Sequence, residues 1–253
     1  ESTYGDRDHR PLAATLDEGR EIVLKAMGRN GKILVPSFAI GRTQQLLYHM
    51  AGLFRSNEVE KFPIFVDSPM AIKATKIYIE HPELYDDEAI ALAKEGHFAQ
   101  DLNTVKATPK TEQSIAINSF EGTCMVISAS GMCTGGRIVH HLRHNLARPE
   151  TSVIIVGYQA HGSLGRELVD GAEEVRIFGE TIPVRADIHT LGGFSAHAGQ
   201  TDLLRWFDVV AGSKPRVVLT HGEERQRDTL AGIIRQRYGL EVALPMDGDQ
   251  ITL

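Results

Sequence analysis

The chain has 253 residues, 42 % of them apolar and 24 % charged, with 24 glycines and 10 prolines. That suits one large domain or two small ones, carries enough apolar residue for a core, and is too balanced in charge for a disordered chain. Lys plus Arg number 27 against 33 Asp plus Glu, a formal charge of -6 that argues against non-specific coating of nucleic acid yet leaves room for a local basic groove.

The aliphatic runs, such as Val153 to Val156, are too short to span a bilayer, so no membrane association is expected. The opening residues do not read as a leader. Two cysteines, Cys124 and Cys133, make no disulfide scaffold, and the expected setting is a reducing cytoplasm. Glu1-Ser2-Thr3-Tyr4-Gly5 reads as a strand end running into a turn, so the chain is expected to be the C-terminal part of something longer.

Strands and helices then alternate. Lys32 to Pro36 is a short apolar strand, and Thr43 to Phe54 places Leu46, Leu47, Met50, Leu53 and Phe54 at helical spacing. Pro63 to Asp67 is a second strand, followed by Ser68-Pro69 as N-cap and first position of a helix reaching Glu80. Asp86-Asp87-Glu88 is a solvated helix start, favoured by the helix dipole. Cys124 to Ser128 and Val153 to Val156 are continuous apolar strands, the pattern of a parallel sheet covered on both faces. Beyond Arg166 the texture changes. Short strands are expected at Glu174 to Phe178 and Ile182 to Ile188, followed by a glycine-rich loop at Leu191 to Phe194. A helix from Asp202 to Val210, a strand from Arg216 to Thr220, a helix from Glu223 to Tyr238 and a strand from Glu241 to Leu244 complete a smaller α/β layer.

Open α/β sheets bind ligands at the carboxyl ends of their strands. Four such ends here are polar and glycine-rich: Pro36 to Phe38, Ser128 to Gly131, Gly157 to Gly162, and Thr220 to Glu223. The segment from Ser128 to Arg148 suits a phosphate-bearing ligand. Its glycines let backbone N–H groups approach an anion, and a helix starting near Gly136 would point its N-terminus there. Between Gly122 and Pro149 only Glu121 and Glu150 flank a stretch free of Asp and Glu, while Arg137, Arg143 and Arg148 add positive charge. A basic solvated helix is the plain alternative. His140 and His144 have metal-like spacing, but His141 stands where a zincin needs Glu. Cys124 reads as core and Cys133 as a loop thiol. His197, between small residues, suits general acid–base work, and His221, at a strand end, suits a metal ligand. His9, His49, His81 and His97 show no partner pattern and read as structural or exposed.

These stretches together resemble the β-CASP branch of the metallo-β-lactamase superfamily, zinc-dependent RNA nucleases that include the endonuclease subunit of the cleavage and polyadenylation specificity factor. The matching residues are Glu1 to Arg7 with His9, Val35 to Arg42, Ser128 to Cys133 with Gly135-Gly136-Arg137, Gly157 to Ala160 with Gly165-Arg166, Phe194 to His197, and Thr220 to Glu223. They stand in family order along the whole chain. The resemblance implies an α/β fold in which a parallel-sheet β-CASP lobe, residues 16–166, is inserted into the C-terminal part of a metallo-β-lactamase (αββα) fold. That outer fold would supply residues 1–15 and, with an RNA-specificity region, 167–253.

The resemblance also assigns roles. His197, oriented by the Glu1 carboxylate, would protonate the departing ribose oxygen; His221 would be a zinc ligand; Ser130, Arg137 and Arg166 would hold substrate phosphates in a cleft between the lobes. It implies hydrolysis of RNA phosphodiesters, two zinc ions in the complete protein, single-stranded RNA as partner, and a possible homodimer. It points away from the 5′-exonucleolytic ribonuclease J group, whose phosphate-pocket loop is not found. The family's main metal motif, His-x-His-x-Asp-His, is absent, so the isolated chain is expected to be inactive and to bind zinc weakly. An RNA-binding module without catalysis and a metallo-hydrolase of a small phosphorylated substrate are the two other classes left open.

Overall fold

The computed structural model describes residues 1–94 and 100–251, so His97 lies outside the described residues. The chain forms two units, one of Leu12–Phe194 and one that joins Glu1–Pro11 to Ser195–Leu253.

The larger unit is built on six strands: β1 (Lys32–Pro36), β2 (Ile64–Val66), β3 (Val105–Ala107), β4 (Cys124–Ser128), β5 (Ser152–Ile155) and β8 (Asp187–Thr190). They lie in the order β3-β2-β4-β1-β5-β8, and every neighbouring pair is parallel. This is the α/β architecture expected from continuous apolar strands. Successive side chains point to opposite faces and both faces are covered. Ile33, Val35, Ile64, Met125, Ile127 and Ile154 pack with helices α1 (Leu12–Gly28) and α2 (Arg42–Arg55). Leu34, Val126, Val153 and Ile155 pack with α5 (Thr111–Asn118), α6 (Arg137–Asn145) and α7 (Leu164–Val169). Register pairs Pro36 with Ser128 and Val66 with Ile127, so the loops after β1, β2 and β4 leave the same edge of the sheet.

Local signals behave as their chemistry directs. The Ser68 hydroxyl accepts from the Ala71 N–H at 3.3 Å, with Pro69 beginning α3 (Pro69–Glu80). The Asp86 carboxylate accepts from the Ala89 N–H at 2.8 Å at the start of α4 (Asp87–Lys94).

Three local readings change. The expected strand from Ile182 to Ile188 is two elements. β7 (Glu180–Pro183) pairs antiparallel with β6 (Glu174–Ile177), whereas β8 joins the large sheet. Between them the Arg185 and Ala186 N–H groups both donate to the Leu146 carbonyl, which turns the chain away from the hairpin. Helix α1 and strand β3 were not anticipated from the apolar pattern. Cys133 lies in a loop as expected, but its thiol is buried, in the same apolar cluster as Ile138 and Leu142.

In the smaller unit, α8 (Gln200–Ala211) and α9 (Glu224–Tyr238) cover a parallel pair, β9 (Val217–Val218) and β10 (Val242–Ala243). Leu204, Phe207, Leu219, Leu230 and Ile234 form its core. α9 stops at Gly239, which takes the left-handed conformation and donates its N–H to Arg235 O. Among the described residues no helix is long and apolar enough to cross a membrane.

Candidate active site

Residues Glu1 to His9 run along the two loops that carry His197 and His221, and almost every residue makes a tie. The Glu1 Oε2 lies 2.5 Å from His197 Nδ1, and Glu1 Oε1 accepts from the Ala198 N–H at 3.1 Å. Tyr4 forms a β-bridge to Gly199, the Gln200 N–H donates to Arg7 O, and the Gln200 side chain donates to Gly5 O. Asp8 takes both the N–H and the hydroxyl of Thr201, at 2.8 and 2.6 Å, and so caps α8 from outside the helix. The carboxylate of Glu1 experiences burial, which raises its pKa, but the Ala198 N–H and the His197 ring outweigh this and hold it below the ordinary value. Glu1 is therefore an anion that fixes His197 through Nδ1 and, among the described residues, leaves its Nε2 unengaged.

His221 follows β9 in a left-handed backbone conformation, φ 53°. The Thr3 hydroxyl lies 3.0 Å from His221 O and 3.1 Å from His221 Nδ1. A hydroxyl has one proton, and the carbonyl can only accept it; Nδ1–H must then donate to the Thr3 oxygen, which leaves the Nε2 lone pair bare. Ser2 holds the same turn, donating its N–H to His221 O and its hydroxyl to Thr220 O. Glycine is needed next: a Cβ on Gly222 would stand 2.5 Å from Ser2 Oγ and 2.7 Å from Ser2 O.

The His197 and His221 rings are 5.2 Å apart, and Glu1, His197 and His221 each place a ligand atom within 4.8 Å of the others. Two of those groups are engaged with one another. His221, with Nδ1 turned to Thr3 and Nε2 open, is the residue that fits a zinc ion, since a ligating imidazole is normally oriented by a bond to its other nitrogen.

His9, which showed no partner pattern in the sequence, belongs here as well. Its Nε2–H donates to the His197 carbonyl at 2.7 Å, and its ring stands edge-on to Tyr4 with centroids 4.2 Å apart. The resemblance includes His9 among the matching residues of the opening segment without giving it a role.

Ser130, Arg137 and Arg166 lie in the larger unit. The Ser130 hydroxyl accepts from the Thr134 N–H at 3.1 Å, in the loop after β4. Arg166 bonds Asp170 through Nε, and Arg137 bonds Asp67 and the carbonyls of Thr108 and Pro109. Arg143 is paired with Glu180. The local excess of positive charge around α6 is thus matched by carboxylates from distant positions. His141 is buried against Asp67, and His140 lies exposed beside Phe178.

A family model described as the Beta-Casp domain matches residues 43–168, and a second, described as the Zn-dependent metallo-hydrolase RNA specificity domain, matches residues 181–245. The chain belongs to the β-CASP family of metallo-β-lactamase-type nucleases. Among similar proteins, Ribonuclease TTHA0252 of Thermus thermophilus is 40 % identical over 258 residues, covering 100 % of this chain and 57 % of the relative. Transcription termination factor FttA of Pyrococcus abyssi is 32 % identical over 263 residues, covering 100 % of this chain and 40 % of the relative. An RNase J-like protein of Methanocaldococcus jannaschii is 30 % identical over 250 residues, covering 98 % of this chain and 57 % of that protein. This β-CASP chain spans roughly half the length of the relatives it matches.

Proposed function

We propose that this chain supplies the general-acid pair, one zinc ligand and the phosphate-binding elements of a zinc-dependent endoribonuclease that hydrolyses single-stranded RNA. The observation that carries this reading is the meeting of Glu1, His197 and His221, which are up to 220 positions apart, at a single spot. The family and the relatives support action on RNA. Residues 16–166 are placed in the β-CASP lobe, and 1–15 with 167–253 in the metallo-β-lactamase lobe.

In this reading Glu1 keeps Nδ1–H of His197 in place and stabilises the imidazolium, and Nε2–H delivers a proton to the departing ribose oxygen. His9 holds the backbone of His197 so that the ring's reach is fixed. Ser130 and Arg166 serve phosphate capture, and Arg137 belongs to the same element through the loop that carries Ser130. His221 Nε2 would hold zinc, oriented by Thr3. When bound, zinc supplies Lewis-acid activation of the attacking water and of the phosphoryl oxygens. Among the described residues the cluster offers three ligand groups, two of them bonded to one another, so the chain alone is proposed to bind zinc weakly and not to cleave RNA. A cytoplasmic location and a homodimer complete the reading.

The test is a zinc titration of the chain with and without His221→Ala, alongside incubation with labelled single-stranded RNA. Weak binding that His221→Ala abolishes, RNA binding and no cleavage support the proposal. Tight stoichiometric zinc with RNA cleavage by this polypeptide contradicts it.

A further inference from the structure

Asp67 follows β2 and is fully buried. Its Oδ1 accepts from Thr108 Oγ1 at 2.7 Å and Arg137 Nη1 at 2.8 Å; its Oδ2 accepts from Ser114 Oγ at 2.5 Å and His141 Nε2 at 2.7 Å. Burial pushes this carboxyl up, but the bonds from His141, Ser114 and Thr108 outweigh it and hold it at about 2.

The backbone of the same residue is tied to the end of β4. The Asp67 N–H donates to Ile127 O at 2.9 Å, and Ser128 Oγ donates to Asp67 O at 2.8 Å. The loop that carries Ser130 leaves directly after Ser128 and returns at Arg137, the first residue of α6. Both ends of the loop are therefore fastened to Asp67, one through its carbonyl and one through its carboxylate. Inside the loop the Ser130 N–H donates to Gly135 O, and the Ile138 N–H donates to Ala129 O. Gly136, at φ 75°, packs so closely that a Cβ would stand 2.3 Å from Ala129 O. Such a loop has little room to rearrange on its own. Arg137 is held on three sides, since its guanidinium also donates to Thr108 O at 2.6 Å and Pro109 O at 2.9 Å.

We propose that Asp67 sets the shape of the Ser130–Gly136 loop, and that Arg137 serves that loop as a positioning residue held by Asp67 instead of meeting RNA phosphate itself. This rests on the reading of the loop as a phosphate-binding element. The two possible roles of Arg137 predict opposite signs. If Arg137 met phosphate directly, neutralising Asp67 would release a cation toward RNA and tighten binding. If Arg137 acts through the loop, neutralising Asp67 loosens the loop and weakens binding.

The experiment measures a fluorescein-labelled oligouridylate against the 253-residue chain over a series of KCl concentrations. It compares wild type, Asp67→Asn, Arg137→Gln and the double variant, with backbone amide hydrogen exchange followed on the same proteins without RNA. Each single variant is expected to weaken binding about tenfold. The double variant should be no weaker than the weaker single, and the log–log salt slope should stay that of wild type. Amides of residues 129–137 should exchange about tenfold faster in both singles, with those of β5 unchanged. Tighter binding by Asp67→Asn, a slope reduced by about one in Arg137→Gln, or unchanged exchange in the loop overturns the proposal. If wild type does not bind the RNA, the phosphate reading fails while the exchange data still decide the loop's dependence on Asp67. If Asp67→Asn does not fold, Thr108→Val, which removes one donor from the carboxylate, takes its place with the same expected directions.

Discussion

Two carboxylate–imidazole pairs invite comparison, Glu1 with His197 in the smaller unit and Asp67 with His141 in the larger one. In the first, the side chains are 30 % and 38 % exposed; in the second, 0 % and 1 %. His197 is fixed through one nitrogen, and among the described residues its Nε2 makes no hydrogen bond. Both nitrogens of His141 face oxygens, Asp67 Oδ2 and Asn118 Oδ1, and three further donors close on the acid. In the proposed reading the same pair of side chains is thus a device for moving a proton where one nitrogen stays accessible, and a clasp where it does not.

Asp67→Ala should have the largest effect, since it leaves Arg137 and His141 beside an empty, buried acceptor site. Urea denaturation should show a loss of about 3–5 kcal/mol, whereas the exposed Glu1→Ala should cost less than 1 kcal/mol. Equal losses would erase the distinction between clasp and device.

Acid should single out the clasp next. The folded carboxyl of Asp67 titrates at about 2 against an ordinary aspartate near 3.8. A folded pKa below the unfolded one means that unfolding takes up protons. The contribution, roughly 2 kcal/mol, is complete above about pH 4 and disappears as pH falls towards 2. Stability curves measured between pH 5 and 2 should be shallower in Asp67→Asn by that amount, and parallel curves would count against it.

On the device side, Thr3→Val removes the partner of His221 Nδ1. Competition with a chromophoric chelator should show zinc binding about tenfold weaker, with Thr3→Ser close to wild type. No change in Thr3→Val would mean that His221 is not oriented in this way. The smallest effect is expected for Arg143→Ala, whose exposed pair with Glu180 should leave the thermal midpoint close to that of wild type.

Much of the fold was legible because β1, β4 and β5 are uninterrupted apolar runs, which only a sheet covered on both faces can bury. β3 escaped notice because its three residues are half-buried or exposed and carry no such run. β8 was merged with β7, since the break between them is made by the Leu146 carbonyl, a partner that local sequence does not reveal. The site shows the same division. His197 and His221 stood out through their glycine-rich and strand-end settings, and their resemblance to a known family proposed that they meet. His141 was read as the residue that spoils a zincin spacing, because its acid lies 74 positions upstream. Arg137 and Arg143 likewise find their carboxylates at Asp67 and Glu180, so a count of charge along one segment overstated what is free to meet a phosphate.

The most direct measurement is a zinc titration of the nitrogen-15 labelled chain, following the histidine ring nitrogens by NMR. The account predicts that zinc moves the His221 Nε2 resonance first and His197 with it, that His49 and His141 stay in place, and that His221→Ala removes the response. Zinc that perturbs other histidines while leaving His221 and His197 unmoved would contradict it.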